Sequence, residues 1–134
     1  MATIVHWGKY YPPDRGGMES VTASIALGAN SAGHNVTVVC FTKNPRDTAE
    51  VANGVRVLRA SEAGNLASQP LSCNYFRSAL REGRRADLVH LHAPNMLAAL
   101  AAAFLGRKTK LLVHWHSDVV GKGLLGLLLR PLEW

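Results

Sequence analysis

The chain begins with an apolar run that leads into a glycine-bearing turn: residues 2–19 are ATIVHWGKYYPPDRGGME. From Met18 to Ala32 the apolar side chains recur at helical spacing. This order predicts a strand, a turn and the start of a helix. Backbone N–H groups at a helix N-terminus are unpaired and carry partial positive charge, and glycine lets a ligand approach the backbone closely. We therefore expect Gly16 and Gly17 to suit a phosphate or diphosphate.

The glycine pair has a simpler explanation as well. The turn matches neither the G-x-G-x-x-G dinucleotide fingerprint nor the G-x-x-x-x-G-K-[ST] pattern of the P-loop. Strand-to-helix turns of this kind recur throughout α/β folds for geometric reasons. The turn by itself leaves an anion site and an ordinary turn both open.

Composition indicates one folded domain with an anionic partner. Of the 134 residues, 48% are hydrophobic, which is enough for one core, and the formal net charge of +6 favours an anion. Aromatic residues make up only 7% and the basic residues form no long block, so nucleic acid is not expected as a partner. There is no leader pattern and no disulfide framework, since Cys40 and Cys73 are the two cysteines. We expect a cytoplasmic protein in a reducing compartment.

Strand-type and helix-type patterns alternate along the chain. Apolar runs predict strands at residues 3–7, 35–41, 55–58, 87–91 and 110–115. Helical patterns lie at residues 18–32, 72–83 and 95–105, whereas a turn is predicted at 42–47 and a loop at 62–71. The alternation predicts an α/β fold with a parallel sheet and helices on both faces, hence three layers. Ligands of such sheets bind beyond the carboxyl ends of the strands.

Histidines end the fourth and fifth predicted strands as two His-x-His pairs, His90 with His92 and His114 with His116. Residues i and i+2 of a strand share a face, so four imidazoles gather at one end of the sheet if these strands are neighbours, with His6 nearby. Such pairs are also a metal-ligand pattern. The alternative is that His90 and His114 are packed and hydrogen-bonded beneath the site.

The strand exits supply the polar candidates. His116 is followed by Ser117 and Asp118, so an imidazole, a hydroxyl and a carboxylate share one loop, and His92 occupies the neighbouring exit. Three cations near the other exits would either steer an anion or be ordinary solvated charges: Lys9, Arg15 and Lys43.

Five short motifs occur in order along the chain: YPP at residues 11–13, GGME at 16–19, AGHNVTV at 32–38, DLVHLHAP at 87–94 and VHWHSD at 113–118. Together they resemble the N-terminal domain of a GT-B glycosyltransferase of family 4, a large group of retaining enzymes. Each motif is loose, but their order on an alternating β/α pattern is specific.

The resemblance implies that residues 1–134 are the N-terminal, acceptor-side Rossmann-like domain, one half of a GT-B fold. The domain would be cut short near its C-terminus and would lack the C-terminal nucleotide-sugar domain. The whole enzyme would transfer a hexose such as mannose or glucose, with retention, from a nucleotide-sugar donor to a glycan or lipid-linked acceptor. Its place would be polysaccharide or lipopolysaccharide biosynthesis, and it would need no metal or other cofactor.

The resemblance also implies roles for single residues. Gly16 and Gly17 match the glycines at the donor diphosphate. His116 matches the histidine at the reacting sugar. Beyond the resemblance, we expect Asp118 to orient His116. His92 and Asn95 match a loop that lines the acceptor side. Beyond that match, we expect three further residues to bind the acceptor: Lys9, Tyr11 and Arg15.

Two further hypotheses stay open beside the transferase. A metal-dependent hydrolase would use the two His-x-His pairs as ligands. A non-catalytic nucleotide- or phosphate-binding module would need only the glycine turn and no histidine at all.

The last residues form a run of leucines, from Leu124 to Leu132, that predicts a helix apolar nearly all round. We expect such a helix to need cover from elements beyond Trp134, so that this piece self-associates. In a longer protein the same surface, flanked by Lys122 and Arg130, would instead make a peripheral contact with the inner face of an anionic membrane. The alternative is that the run folds back onto its own sheet.

Overall fold

A computed structural model describes residues 1–116 of the chain. The elements are β1 (Thr3–Trp7), α1 (Gly17–Ser31), β2 (Asn35–Thr42), β3 (Thr48–Ala52), β4 (Val55–Ser61), β5 (Gly64–Leu66), β6 (Gln69–Leu71), α2 (Cys73–Gly83), β7 (Leu88–Ala93), α3 (Met96–Ala102) and β8 (Lys110–Trp115). The expectations for Asp118 and for the leucine run from Leu124 to Leu132 lie outside the described residues.

The main sheet has six strands in the order β3-β4-β2-β1-β7-β8. Every neighbouring pair is parallel except β3 with β4, which is antiparallel. The chain leaves β1 towards β2 on one side and returns through β7 on the other, so β1 stands at the switch point of the strand order. Clefts at such switch points receive ligands in open α/β sheets.

The helices cover both faces of this sheet. On one face α1 packs over a cluster that includes Val36, Val38 and Val57. On the other face α2 and α3 pack over a larger cluster, in which the rings of Phe41 and Tyr75 stack 3.9 Å apart. The predicted three-layer α/β fold is therefore confirmed, with a mixed rather than wholly parallel sheet.

Two hairpins were not predicted. All five residues of β3 are exposed or partly exposed, so this edge strand lacks the apolar signal of a buried one. The turn at Asn53 and Gly54, which does carry a sequence signal, has φ values of 51° and 83° and joins β3 to β4. The loop predicted at residues 62–71 is wrong, because β5 and β6 pair there as a short hairpin.

Capping residues set two helix starts. The Ser72 hydroxyl accepts a hydrogen bond from the N–H of Tyr75 at the start of α2, and Asn95 accepts one from Ala98 at the start of α3. The helix predicted to reach residue 105 ends at Ala102. Among residues 1–116, no helix is both long and apolar enough to cross a membrane.

Candidate functional site

Five histidines meet at the carboxyl end of the sheet, which confirms the predicted gathering of imidazoles. His6 of β1 is paired in register with His90 of β7, and His92 of β7 with His114 of β8. His116 follows β8, and its backbone N–H donates to the Ala93 carbonyl, 3.0 Å away. Neighbouring rings have their centroids 4.2–5.6 Å apart, and we call this group the imidazole stack.

Three members of the imidazole stack form a hydrogen-bonded chain. Nδ1 of His6 lies 3.0 Å from Nε2 of His92, and Nδ1 of His92 lies 2.8 Å from Nε2 of His116. His6 and His92 are fully buried, whereas His116 is half-buried at the outer end. The chain thus runs from the interior of the sheet to the strand exit.

The inner part of the stack also holds unpaired ring nitrogens. Nε2 of His6 and Nε2 of His90 are buried and have no hydrogen-bond partner among residues 1–116. The expectation that His90 would be hydrogen-bonded beneath the site is thus not met at Nε2. A buried polar atom without a partner costs free energy, so these atoms weaken the fold.

Burial keeps the inner imidazoles neutral. It lowers the pKa of His6 to about 3, with the nearby His90 adding to the effect, and the pKa of His92 to about 2. The pKa of His90 falls to about 4 for the same reason. Burial and the neighbouring His114 also lower the pKa of His116, while the carboxylate of Glu19 acts in the opposite direction. At pH 7 the three inner rings therefore serve as neutral donors and acceptors.

The stack contains two sets of three ring nitrogens that lie within 4.8 Å of one another: His6 with His90 and His92, and His92 with His114 and His116. A zinc ion would need the nitrogens about 2.0–2.1 Å from one point. The rings lie nearly parallel, at 18° for His90 with His92 and 9° for His114 with His116. Because a nitrogen lone pair lies in the plane of its ring, stacked rings must rotate before they converge on a common ion.

The glycine turn lies at the N-terminus of α1, as predicted. Gly16 is the residue before the helix and no side chain caps it. A Cβ at Gly16 would lie 2.0 Å from Oε2 of Glu19, whereas a Cβ at Gly17 would meet no atom of residues 1–116 within 4 Å. Both glycines are exposed, but the nearly buried Glu19 carboxylate lies against Gly16. A carboxylate in the first helical turn is favourable, and here it lies where the diphosphate was expected.

Glu19 connects the two halves of the site. Its carboxylate lies beside Gly16 and is close enough to His116 and Lys9 to favour the charged forms of both. Glu19 was not singled out in the sequence. Its position in the first turn of a helix that opens on two glycines is the signal that would have found it.

Arg59 of β4 holds the loop that precedes the glycine turn. Its side chain is buried and donates to the carbonyls of Tyr11, at 3.0 Å, and Pro12, and to the Glu50 carboxylate at 2.9 Å. No local pattern in the sequence indicates this role, because the loop and Arg59 are more than forty residues apart.

Three of the predicted acceptor residues have their side chains inside the protein: Tyr11, Asn95 and, within the imidazole stack, His92. Tyr11 is buried in the cluster beneath α1, and burial raises the pKa of its hydroxyl. Asn95 caps α3 and donates to the Gly8 carbonyl, at 3.0 Å, and to the Tyr75 hydroxyl, at 2.9 Å. Tyr11 and Asn95 tie the loop after β1 to the rest of the fold.

The other two predicted acceptor residues, Arg15 and Lys9, differ in exposure. Arg15 is exposed next to the glycine turn. Lys9 is half-buried and donates to the Ser68 carbonyl of the β5–β6 hairpin, and burial lowers its pKa. His92 is fully buried within the imidazole stack. The structure thus brings His92 and His116 together. Arg15 is the exposed cation beside the glycine turn, whereas Lys9 is half-buried.

Comparisons with known proteins agree with this architecture. Residues 16–134 match the model of a family described as a glycosyl transferase 4-like domain. The chain is 28% identical over 130 residues to the D-rhamnosyltransferase WbpZ of Pseudomonas aeruginosa, which covers 96% of the chain and 34% of that protein. It is 26% identical over 125 residues to the O-antigen chain mannosyltransferase C of Escherichia coli, which covers 92% of the chain and 33% of that protein.

A solved structure shares the fold. The sucrose-phosphate synthase of Thermosynechococcus elongatus superposes with a TM-score of 0.57 at 17% identity, over 87% of this chain and 33% of that one. The chain therefore spans about a third of the length of the relatives that it matches. The predicted Rossmann-like half of a GT-B fold is confirmed. With the family model covering all but the first fifteen residues, the chain belongs to the glycosyl transferase 4-like domain family.

Proposed function

We propose that the protein that carries this chain is a retaining glycosyltransferase. It moves a hexose or deoxyhexose from a nucleotide-sugar donor to a glycan or lipid-linked acceptor. The observation that carries the proposal is the meeting, through Glu19, of the glycine turn and His116 at one end of the sheet in a chain of this family. The names of the relatives, a rhamnosyltransferase and a mannosyltransferase, support sugars of the mannose type.

The glycine turn would bind the donor diphosphate. Gly16 and Gly17 are exposed, and a ligand can approach the Gly17 backbone without meeting a side chain within 4 Å. The unpaired N–H groups at the start of α1 would stabilise the negative charge that develops on the leaving diphosphate. The Glu19 carboxylate occupies the same place and would have to turn away, which a flexible side chain can do.

His116 would act at the reacting sugar. Its Nε2 is bonded to His92, and no hydrogen bond within residues 1–116 engages its Nδ1. A neutral imidazole held in this way can donate one hydrogen bond to a sugar hydroxyl or to the group that leaves. We propose that Asp118, two residues along the chain, helps to orient it.

The acceptor would lie along the loop after β1. Arg15 and Lys9 are the cations on this side, and both would suit an acceptor that carries phosphate. We assign Tyr11 and Asn95 to the shape of this loop, since both side chains are engaged within the protein.

We propose a cytoplasmic enzyme that rests on the inner face of a membrane. The exposed side of α2 carries Arg77 and Arg81, Arg84 and Arg85 follow directly after the helix, and Phe104 is 53% exposed beside them. A basic surface with an exposed aromatic ring favours anionic lipid. No metal, other cofactor or nucleic acid is part of the proposal.

The test is a transfer assay with the full-length protein. It would be incubated with a panel of nucleotide sugars and lipid-linked or glycan acceptors in excess chelator, and proton NMR would follow the anomeric configuration of donor and product. We expect transfer of one donor sugar with the configuration kept. Inverted product would contradict retention, and hydrolysis that depends on added metal would contradict the transferase itself.

A metal-dependent hydrolase remains the second candidate, because the two sets of three ring nitrogens are the one observation that favours it. Elemental analysis separates the candidates. About one zinc per chain that survives chelation would favour the hydrolase, and protein purified without metal but active in transfer would favour the transferase. A protein that binds nucleotide sugar without any turnover would instead be a non-catalytic module.

A further inference from the structure

We propose that His92 is a positioning residue: it holds the ring of His116 in one orientation and one tautomer, with the proton on Nδ1. The inference deepens the proposed function, on which its catalytic consequence rests. The sequence predicted His92 as an acceptor contact. The structure gives it a different role, because the His92 side chain is fully buried and both of its ring nitrogens are bonded to histidines.

The direction of the hydrogen bonds among His6, His92 and His116 follows from the environment of His6, the innermost of the three rings. Each neutral imidazole carries one N–H, so the two bonds run in the same sense, either outwards from His6 or inwards from His116. If they ran inwards, His6 would carry its proton on Nε2, which is buried and has no partner within residues 1–116. If they run outwards, Nε2 of His6 is instead an unprotonated acceptor. Buried N–H groups without a partner are rarer than unpaired acceptors, so the outward direction is favoured.

The outward direction fixes what His116 presents. Nδ1–H of His6 donates to His92, and Nδ1–H of His92 donates to Nε2 of His116 at 2.8 Å. The proton of His116 then resides on Nδ1, which is the nitrogen that no residue within 1–116 engages. His116 is thereby a hydrogen-bond donor towards a ligand, as a sugar oxygen or a departing diphosphate requires.

Because the inner rings stay neutral, the hydrogen bonds among the three histidines keep their outward direction. Burial lowers the pKa of His6 to about 3 and that of His92 to about 2, so neither ring takes up a second proton near pH 7. The nearly parallel packing of the rings, at 28° both for His6 with His92 and for His92 with His116, limits rotation of each ring. Geometry and burial therefore act together on the outer histidine.

Long-range proton–nitrogen correlation spectra of the chain, labelled with ¹⁵N in its histidines, report the tautomer of each ring. At pH 7 we expect His6, His92 and His116 all to carry the proton on Nδ1. His92→Phe keeps a flat ring but removes the donor, and His116 should then populate both tautomers. His92→Asn keeps an amide donor near the place of Nδ1 and gives up the contact with His6, so it should restore the Nδ1–H form.

The same variants in the full-length protein separate positioning from binding. His92→Phe should lower kcat by on the order of ten-fold or more, as loss of a tautomer-holding partner does, with little change in the KM for the donor. His92→Asn should recover most of that loss. The spectra test the positioning role even if the protein proves not to be a transferase.

Three results would overturn the proposal. The first is a wild-type His116 with its proton on Nε2. The second is a folded His92→Phe protein in which His116 still carries its proton only on Nδ1, or a folded His92→Asn protein in which His116 populates both tautomers. The third is about one zinc ion per chain, bound by the rings as the protein is purified. If His92→Phe does not fold, the wild-type and His92→Asn spectra decide.

Discussion

Two polar clusters lie inside this domain, and they are built in opposite ways. Around Arg59 a buried charge is fully matched, by the carbonyls of Tyr11 and Pro12 and by the carboxylate of Glu50. In the imidazole stack two buried ring nitrogens have no partner within residues 1–116. A cluster whose polar groups are all hydrogen-bonded holds a loop in place. A cluster with buried polar groups that lack partners lowers the stability of the fold.

The difference indicates where function lies. Arg59 shapes the loop between β1 and α1, and its own side chain is buried. The imidazole stack leads from the buried His6 to His116 at the strand exit. Polar groups that a fold holds at a cost to its stability are expected at functional sites. Four predictions test this contrast.

Acid should act first on the imidazole stack. The pKa values of His6, His90 and His92 are about 3, 4 and 2 in the folded protein, against 6.5 for an ordinary histidine. The unfolded chain therefore binds more protons below pH 6.5, and the free energy of unfolding falls as the pH falls. Each histidine contributes a slope of about 1.4 kcal/mol per pH unit, so the three give about 4 kcal/mol per unit below pH 6.

Urea unfolding at several pH values between 7 and 5 measures this slope. His90→Leu removes one of the three histidines and should reduce the slope by about a third. A free energy of unfolding that stays constant over this range would show that the rings are not buried as described.

Loss of Arg59 should be the most damaging single substitution at neutral pH. Arg59→Met leaves two loop carbonyls and the Glu50 carboxylate without their partner, and we expect it to lower the free energy of unfolding by about 3 kcal/mol. Arg56→Met is the matched control, since Arg56 lies on the same strand, is 47% exposed and pairs with Glu82. Glu82 is buried but keeps Arg81 as a second partner at 3.0 Å, so the loss of the half-exposed Arg56 should cost about 1 kcal/mol or less. Equal losses of unfolding free energy in Arg59→Met and Arg56→Met, measured by urea unfolding, would contradict the structural role given to Arg59.

Within the stack, the bonded and the unbonded histidine should respond with opposite signs. His92→Leu breaks two hydrogen bonds and should lower the free energy of unfolding by about 2 kcal/mol. His90→Leu removes a buried nitrogen that has no partner within residues 1–116. This change should leave the free energy of unfolding unaltered or raise it by up to about 1 kcal/mol. Thermal unfolding of both variants at pH 7 makes the comparison. A clear loss for His90→Leu would mean that its ring is satisfied after all.

The smallest effect on folding is expected at the glycine turn. Gly16 has an extended backbone that any residue adopts, and a Cβ there would meet only the end of the Glu19 side chain. Gly16→Ala should therefore cost less than about 1 kcal/mol, and Gly17→Ala still less. The two should differ in donor binding instead, because a Cβ at Gly16 displaces the Glu19 carboxylate, which occupies the place proposed for the diphosphate, whereas a Cβ at Gly17 does not reach it. Equilibrium titration of the full-length variants with the donor nucleotide checks this, and equal affinities would argue against a role for Glu19.

Local patterns predicted the scaffold well. The i, i+2 spacing of His90 with His92 and of His114 with His116 placed the imidazoles on one face, and the alternation of patterns gave the three layers. The edge strand β3 was not predicted, because its side chains face water and show no alternation of apolar and polar residues.

The contacts that complete the site are long-range. Arg59 is 48 residues from Tyr11, and Asn95 is 87 residues from Gly8. Sequence alone does not show which way packing turns a side chain, so the expectation that Tyr11 and Asn95 contact an acceptor did not foresee that both turn inwards. The direction of the histidine bonds likewise emerges only from which nitrogens are left unpaired.

The central claim, that His116 acts on the transferring sugar, is tested most directly by the steady-state kinetics of His116→Ala in the full-length protein. His114→Ala is the control, because His114 lies two residues earlier on the same face and its side chain makes no hydrogen bond within residues 1–116. We expect His116→Ala to lower kcat by on the order of 10²-fold or more with little change in the donor KM, and His114→Ala to have a far smaller effect. A kcat close to that of the unaltered enzyme in His116→Ala would contradict the claim and leave His116 a structural residue.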